Sequence, residues 1–388
     1  MTHFDRIVSR YGTYSTQWDY VQDRFGEKEL LPFSISDMDF EIPSGTKEVL
    51  AHAVERGLFG YTRWNHHAFK GAIRSWFQRR FQTELEEEWI SYSPSVIYSL
   101  SVFIQLLSRK GGKVVTLTPC YDAFFNVLKE NHQELLAVSL QREAKFSIDF
   151  NELEECFKRE NPEIFLLCNP HNPTGRAFTE EELGCMVDLC NQYQVAIISD
   201  EIHMDILRKG ISHIPILALK DKIKVPVVLL SSASKTFNSP GLGCSYTIVP
   251  DDQLREQFLK VLKGRDGLSS VPYLGMLALQ DCYNNQEGWL NELNQYLDGN
   301  FQVMTDLLKS TDSIISYIPE ATYLAWLDLT NVPFSMDKLQ QILVHQEKVA
   351  IMRGDTYGEE GKKYLRLNLG APREKIIDGL ERLLRAVQ

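Results

Sequence analysis

The feature that most constrains the fold is a set of short runs, apolar at nearly every position, each closed by a polar or turn-forming cluster. Val114-Val115-Thr116-Leu117 ends at Thr118-Pro119-Cys120-Tyr121-Asp122, and Ile164-Phe165-Leu166-Leu167-Cys168 ends at Asn169-Pro170-His171-Asn172-Pro173-Thr174-Gly175. Val195-Ala196-Ile197-Ile198 ends at Ser199-Asp200-Glu201, and Val227-Val228-Leu229-Leu230 ends at Ser231-Ser232-Ala233-Ser234-Lys235. A strand wetted on one face alternates, whereas one covered on both faces does not, so these runs predict a parallel sheet between two layers of helices. Helix-like stretches separate the runs; Thr179-Glu180-Glu181-Glu182-Leu183 predicts a capping box opening a helix that reaches about Tyr193. The fold class expected is therefore α/β, with a mostly parallel central sheet and helices on both faces. In such sheets ligands bind at the carboxyl ends of the strands, where all four polar clusters fall.

The C-terminal part reads differently. Leu290 to Leu308, Met336 to Gln346 and Arg373 to Val387 predict helices, and Tyr323 to Leu329 alternates like a strand, which suits a smaller α+β unit. With 388 residues the chain suits two domains. The net charge, −11, and the absence of a Lys/Arg-rich run argue against nucleic acid and anionic membrane as partners. Neither a signal pattern at Met1-Thr2-His3-Phe4-Asp5-Arg6 nor an apolar stretch of spanning length is present, so a cytoplasmic protein is expected. Seven cysteines without a Cys-x-x-Cys, of which Cys120, Cys168 and Cys244 adjoin apolar runs, predict buried free thiols. His66-His67 and the group Asp200, Glu201, His203, Asp205 lack a second ligand cluster, so no metal site is expected.

Chemistry gathers around Lys235. Most lysines are solvated surface charges, but one at the mouth of a buried strand among hydroxyls is a candidate Schiff-base former, the residue type that holds pyridoxal phosphate and moves its protons. Asp200 has two readings: a cap on a following helix, or the anion that keeps a pyridine nitrogen protonated. Asn172 lies in a stiff loop with two prolines and a glycine, an ordinary turn or a rigidly held amide donor. His203, close to Asp200, is a structural histidine or shares that donor task.

The order Asn-Pro-His-Asn-Pro-Thr-Gly, Ser-Asp-Glu-Ile-His, Ser-Ala-Ser-Lys and Arg366-Leu367-Asn368-Leu369-Gly370 resembles the fold-type I pyridoxal phosphate enzymes, the aspartate aminotransferase superfamily. Further segments, among them Ile35-Ser36-Asp37-Met38-Asp39-Phe40, Phe59-Gly60-Tyr61-Thr62-Arg63-Trp64 and Lys263-Gly264-Arg265-Asp266-Gly267, are similar to the cystathionine β-lyase branch of the maltose-regulon modulator type. The resemblance implies a large cofactor-binding α/β domain over 49–285, and a small domain built from 1–48 and 286–388. It implies pyridoxal 5′-phosphate as cofactor, with Lys235 as catalytic Schiff-base lysine and Asp200 at the pyridine nitrogen. Asn172 and His203 would contact the phenolate oxygen, and Tyr121, unless it is plain core, would stack on the ring.

Ser95, Val96 and Ile97 match a phosphate-cradling turn that opens a helix, a fit with physical sense because helix N-termini suit anions. Ser232 would add a hydroxyl, and Tyr61 would reach the phosphate from the partner subunit of a homodimer with shared sites. Arg366 would clamp the substrate carboxylate in the bidentate way a lysine cannot. The expected reaction is α,β-elimination from cystathionine or related cysteine S-conjugates, cysteine included, to a thiol, pyruvate and ammonia. A class I/II aminotransferase is the alternative, and a regulatory protein-binding role beside catalysis is a second. The chain departs from the pattern in two places. Arg353 and Asp355 put opposite charges in a usually neutral substrate loop, and Ser239-Pro240-Gly241-Leu242-Gly243-Cys244 lacks the phosphate-binding arginine of aminotransferases.

Overall fold

The runs apolar on both faces become inner strands of a seven-stranded sheet in the computed structural model, which describes residues 2–142 and 145–388. In chain order the strands are β1 (Ile90–Ser93), β2 (Lys113–Thr118), β3 (Glu134–Ser139), β4 (Ile164–Cys168), β5 (Ala196–Asp200), β6 (Val227–Ser231) and β7 (Ser245–Ile248). Across the sheet they lie β1-β7-β6-β5-β4-β2-β3. Strands β2 to β6 are parallel, and β7 alone is reversed against its neighbours β6 and β1. Every residue of β4, β5 and β6 is buried, which is the environment that removes alternation from a strand. At the edge, β3 exposes Glu134 and Ala137 and has no comparable signature.

Helices α1 (Val96–Leu107), α2 (Asp122–Glu130) and α3 (Glu180–Tyr193) follow β1, β2 and β4. The capping box of α3 forms as its sequence predicts: Glu182 N donates to Thr179 Oγ1 at 3.2 Å and Thr179 N donates to the Glu182 carboxylate at 2.9 Å. Arg176 adds two bonds to the same carboxylate, each 2.8 Å, tying the helix start to the loop after β4.

A second, antiparallel sheet is built from β8 (Leu324–Asp328), β9 (Met352–Arg353) and β10 (Tyr364–Asn368), in the order β9-β10-β8. Helices α4 (Glu287–Leu308) and α5 (Arg373–Ala386) pack against each other beside it. Phe33, Phe301, Leu327, Leu365, Ile376 and Leu380 belong to an apolar cluster there, distinct from the larger cluster around the seven-stranded sheet. Helix α4 starts before Leu290, because the periodicity marks its first buried side chain and the preceding turn is exposed or half-buried. The stretch expected as one helix over Met336 to Gln346 is α-helical to Gln341 and then widens into a π-turn, Glu347 N reaching Ile342 O at 3.0 Å. Among the described residues no helix is long and apolar enough to cross a membrane. All cysteines are free, with Cys120, Cys168 and Cys244 buried as expected.

Candidate active site

The carboxyl ends of the parallel strands are stitched side by side by their own backbones. Asn169 N donates to Asp200 O at 3.0 Å and Glu201 N to Leu230 O at 2.9 Å, so the clusters that close β4, β5 and β6 face one space. A cavity of about 180 Å³ opens there, and Lys235, Asp200, Asn172, His203, Tyr121 and Ser232 line it. Ser95, Val96 and Ile97 form another wall. Ser95 caps α1 by accepting Tyr98 N at 3.0 Å, while the free N–H groups of the first helical turn make an anion site. The hydroxyl of Ser232 already donates to Cys244 O at 2.8 Å and accepts Ser234 N at 3.1 Å, so its one proton must turn from Cys244 before it can serve a phosphate oxygen.

Burial sets the electrostatics. It lowers Lys235 to about 8, with Arg366 lowering it further while Asp37 and Asp200 oppose. It pushes Asp200 up to about 7 against the bond from Ile202 N, which reaches Oδ1 at 3.2 Å. His203 is held down at about 3 by burial and by the cations Lys235 and Arg366, so its ring is neutral. Asp200 does not cap a helix: the residues after it form turns, and its carboxylate makes only that local turn bond. A buried acid poised near neutrality is ionised by a cation placed beside it, which a protonated pyridine nitrogen supplies.

Close packing and a backbone bond hold the Asn172 loop in place. Gly175 sits at φ +71°, where a Cβ would meet Pro319 Cβ at 2.4 Å, and its carbonyl accepts Ala321 N at 2.8 Å. Asn172 Oδ1 accepts from Arg366 Nη1 at 3.2 Å. Arg366 stands on β10 opposite Trp326 and Met352; its Nη2 donates to Ser34 O at 2.9 Å and its guanidinium lies 4.7 Å from the Tyr357 ring centre. Its Nε is buried without a partner, as is His203 Nδ1. Unpaired buried polar atoms of this kind are unfavourable unless a ligand meets them, and together with the anion site they fit a phosphate-bearing aromatic cofactor and a carboxylate.

Tyr61 is not brought to this cavity. It is fully exposed beside the exposed Leu58 and Phe59, and lines a separate open cleft with Thr62 and Leu242. The other acidic residues near Asp200 are engaged elsewhere: Glu201 holds buried His213 at 2.8 Å, and Asp205 takes Trp76 Nε1 at 3.0 Å and Thr236 Oγ1 at 2.8 Å. His66 caps its helix through Phe69 N, and His67 faces Glu87. Arg353 pairs with Asp355 and Asp337 at the rim of another open cleft.

Sequence reasoning missed the N-terminal segment as a wall of the site. Ser36 lines the cavity, and its carbonyl accepts Lys235 Nζ at 2.5 Å and the Tyr323 hydroxyl at 2.9 Å. Backbone carbonyls leave no mark in residue identity, so only the location of the segment could have revealed this.

Comparison with known proteins agrees with the geometry. The family model "Aminotransferase class I and II" matches residues 28–383. The chain is 42% identical over 390 residues to protein MalY of Escherichia coli (strain K12), covering 100% of this chain and 99% of that one. It is 34% identical over 387 residues to cystathionine beta-lyase PatB of Bacillus subtilis (strain 168), covering 99% and 100%. The solved PLP-bound C-S lyase from Staphylococcus hominis superposes with a TM-score of 0.90 at 29% identity, covering 99% of this chain and 98% of that one. With its sheet, its lysine-bearing cavity and a family match spanning nearly all of its length, the chain belongs to the class I and II aminotransferase family of fold-type I pyridoxal phosphate enzymes.

Proposed function

We propose that this protein is a pyridoxal phosphate-dependent carbon–sulfur β-lyase, cleaving cystathionine and related cysteine S-conjugates to a thiol, pyruvate and ammonia. The reading is supported by relatives named as cystathionine β-lyase and C-S lyase over essentially the whole chain. The observation that carries the chemistry is the convergence of two cations on one segment: Lys235 Nζ on Ser36 O and Arg366 Nη2 on Ser34 O. A base and a carboxylate clamp anchored two residues apart flank the Cα of a single amino acid.

When bound, pyridoxal phosphate supplies the electron sink for the electrons of the substrate's Cα–H bond. The first turn of α1, with Ser232 beside it, would hold its phosphate, and Asp200 would offer the anion for its ring nitrogen. Asn172 and the neutral His203 would contact its phenolate oxygen, and Tyr121 would stack on its ring face. Arg366 grips the substrate carboxylate, fixing Cα over Lys235. The depressed affinity of Lys235 for protons lets it act as a base near neutral pH. After it takes the Cα proton, the Cβ–sulfur bond breaks and Lys235 returns the proton to the departing sulfur; the aminoacrylate that remains takes up water once released, giving pyruvate and ammonia. Burial of the walls keeps bulk water from competing for that proton.

The decisive experiment incubates the enzyme with cystathionine, with and without a keto acid acceptor. Thiol and pyruvate without acceptor support the lyase; product only with acceptor makes it an aminotransferase. The exposure of Tyr61 supports a homodimer in which each copy's Tyr61 reaches the other's phosphate. Mixing Tyr61→Phe and Lys235→Ala variants then regenerates activity in mixed dimers if the sites are shared. We also read 49–285 as the cofactor-binding unit and 1–48 with 286–388 as a smaller one, a division whose first boundary falls inside helix Ser44–Arg56. Work in the cytoplasm is part of the same proposal.

A further inference from the structure

The mechanism above gives no work to Asp37. Its Oδ2 receives Arg10 Nη2 at 2.5 Å, whereas Oδ1 is buried with no partner. A covered carboxylate oxygen left unpaired is costly, so its retention calls for a use. The segment that carries it is firmly held. Asn368 Nδ2 donates to both Ile35 O and Asp37 O at 2.6 Å, and Arg10 Nη1 bonds Met38 O and the Asp39 carboxylate, each at 3.1 Å. One residue before Asp37, the Ser36 carbonyl holds Lys235 Nζ at 2.5 Å.

We propose that Asp37, pinned by Arg10, is a positioning residue for Lys235. The Ser36 carbonyl holds the amine while it carries the substrate's proton, and the charge of Asp37, one residue further along and out of contact with Nζ, favours the protonated form. This rests on the lyase reading, and the proton balance is simple. The amine lone pair takes the Cα proton and the C–H electrons stay with carbon. The Cβ–S bond then breaks with its electrons on sulfur, and the ammonium gives that sulfur its proton, leaving a neutral amine. During the interval the ammonium is a buried cation that needs an anion. The charges near enough to act on Lys235 are Asp37 from the N-terminal segment, Arg366 from β10 and Asp200 from the end of β5; the two carboxylates favour the ammonium and Arg366 opposes it. His203, also beside Lys235, is neutral, and Tyr323 turns its hydroxyl to Ser36 O.

The test is a pH titration of the cofactor-loaded enzyme, followed by its visible absorbance, which reports protonation at the Lys235 nitrogen, and by the pH profile of thiol release. Asp37→Asn removes an anion and lowers the absorbance midpoint by about 1 unit; the acid limb of the profile moves the same way. Arg10→Met leaves the anion and removes its competing cation, so the midpoint rises. Asp37→Glu restores most of the parent value. A strut that merely braces the segment weakens folding in both variants without moving the midpoint in opposite directions, and that outcome overturns the proposal. If Asp37→Asn does not accumulate as folded protein, the sign of the Arg10→Met shift decides alone. If even the parent enzyme releases no thiol, the lyase reading fails, while the absorbance titration still judges Asp37.

Discussion

Two regions of this protein each bring a basic side chain near carboxylates and behave in opposite ways. In the cavity, Lys235 and Asp200 are removed from water, and burial pulls one down to about 8 and the other up to about 7. At the rim, Arg353 satisfies itself on Asp355 and Asp337, all partly or largely exposed. The difference teaches that reactivity here comes from desolvation, since a lysine or aspartate becomes a working acid or base only where the charged form is penalised. The three rim charges, screened by solvent, make surface contacts worth little.

The sharpest way to break this contrast is Lys235→Ala, which lowers kcat for thiol release by about 10²–10⁴-fold and changes the visible absorbance of the loaded protein. A surviving rate would move the chemistry away from the cavity. Next is the pH dependence of cofactor-free stability. The Asp200 carboxyl is raised, so its folded state keeps a proton that the unfolded chain gives up. Stability is therefore fully present below the ordinary value of 3.8 and is lost as pH rises to about 7, by at most about 4 kcal/mol. Lys235 works in the other direction, adding stability as pH rises from about 8 to 10.5. Urea melts across pH should show the lower slope in the parent and lose it in Asp200→Asn, and added pyridoxal phosphate should reduce it.

Arg366→Lys keeps the charge and removes the fork, which should cost about 2 kcal/mol of carboxylate binding, or roughly 30-fold in kcat/KM, read from steady-state kinetics. The smallest effect is expected at the rim, where Arg353→Ala changes unfolding stability by less than about 1 kcal/mol. A larger loss there would mean that the rim is not the screened surface contact described.

The legible parts share a cause. Strands β4, β5 and β6 were readable because both of their faces are buried, and the helix after β4 because a capping box is a local bond pattern. Lys235, Asp200 and Asn172 stood out because each closes or follows such a strand. Edge strand β3 escaped because half-exposure blurs its pattern, and the start of α4 because its first turn is not buried. Asp37 and Ser36 were visible only as parts of a family motif: one acts beside its salt bridge and the other through a carbonyl.

By itself the sequence determined the layered α/β sheet, the helix start at Thr179 and the polar clusters at the strand ends, since these follow from burial pattern and local hydrogen bonding. Tertiary structure alone decided that Lys235, 35 residues beyond Asp200 in the chain, shares one cavity with it, and that the N-terminal segment closes the wall against both Lys235 and Arg366. The reason is that contact across hundreds of residues depends on how separate elements pack, and that the proton affinities of the site come from burial, a property no residue has until the chain has folded around it.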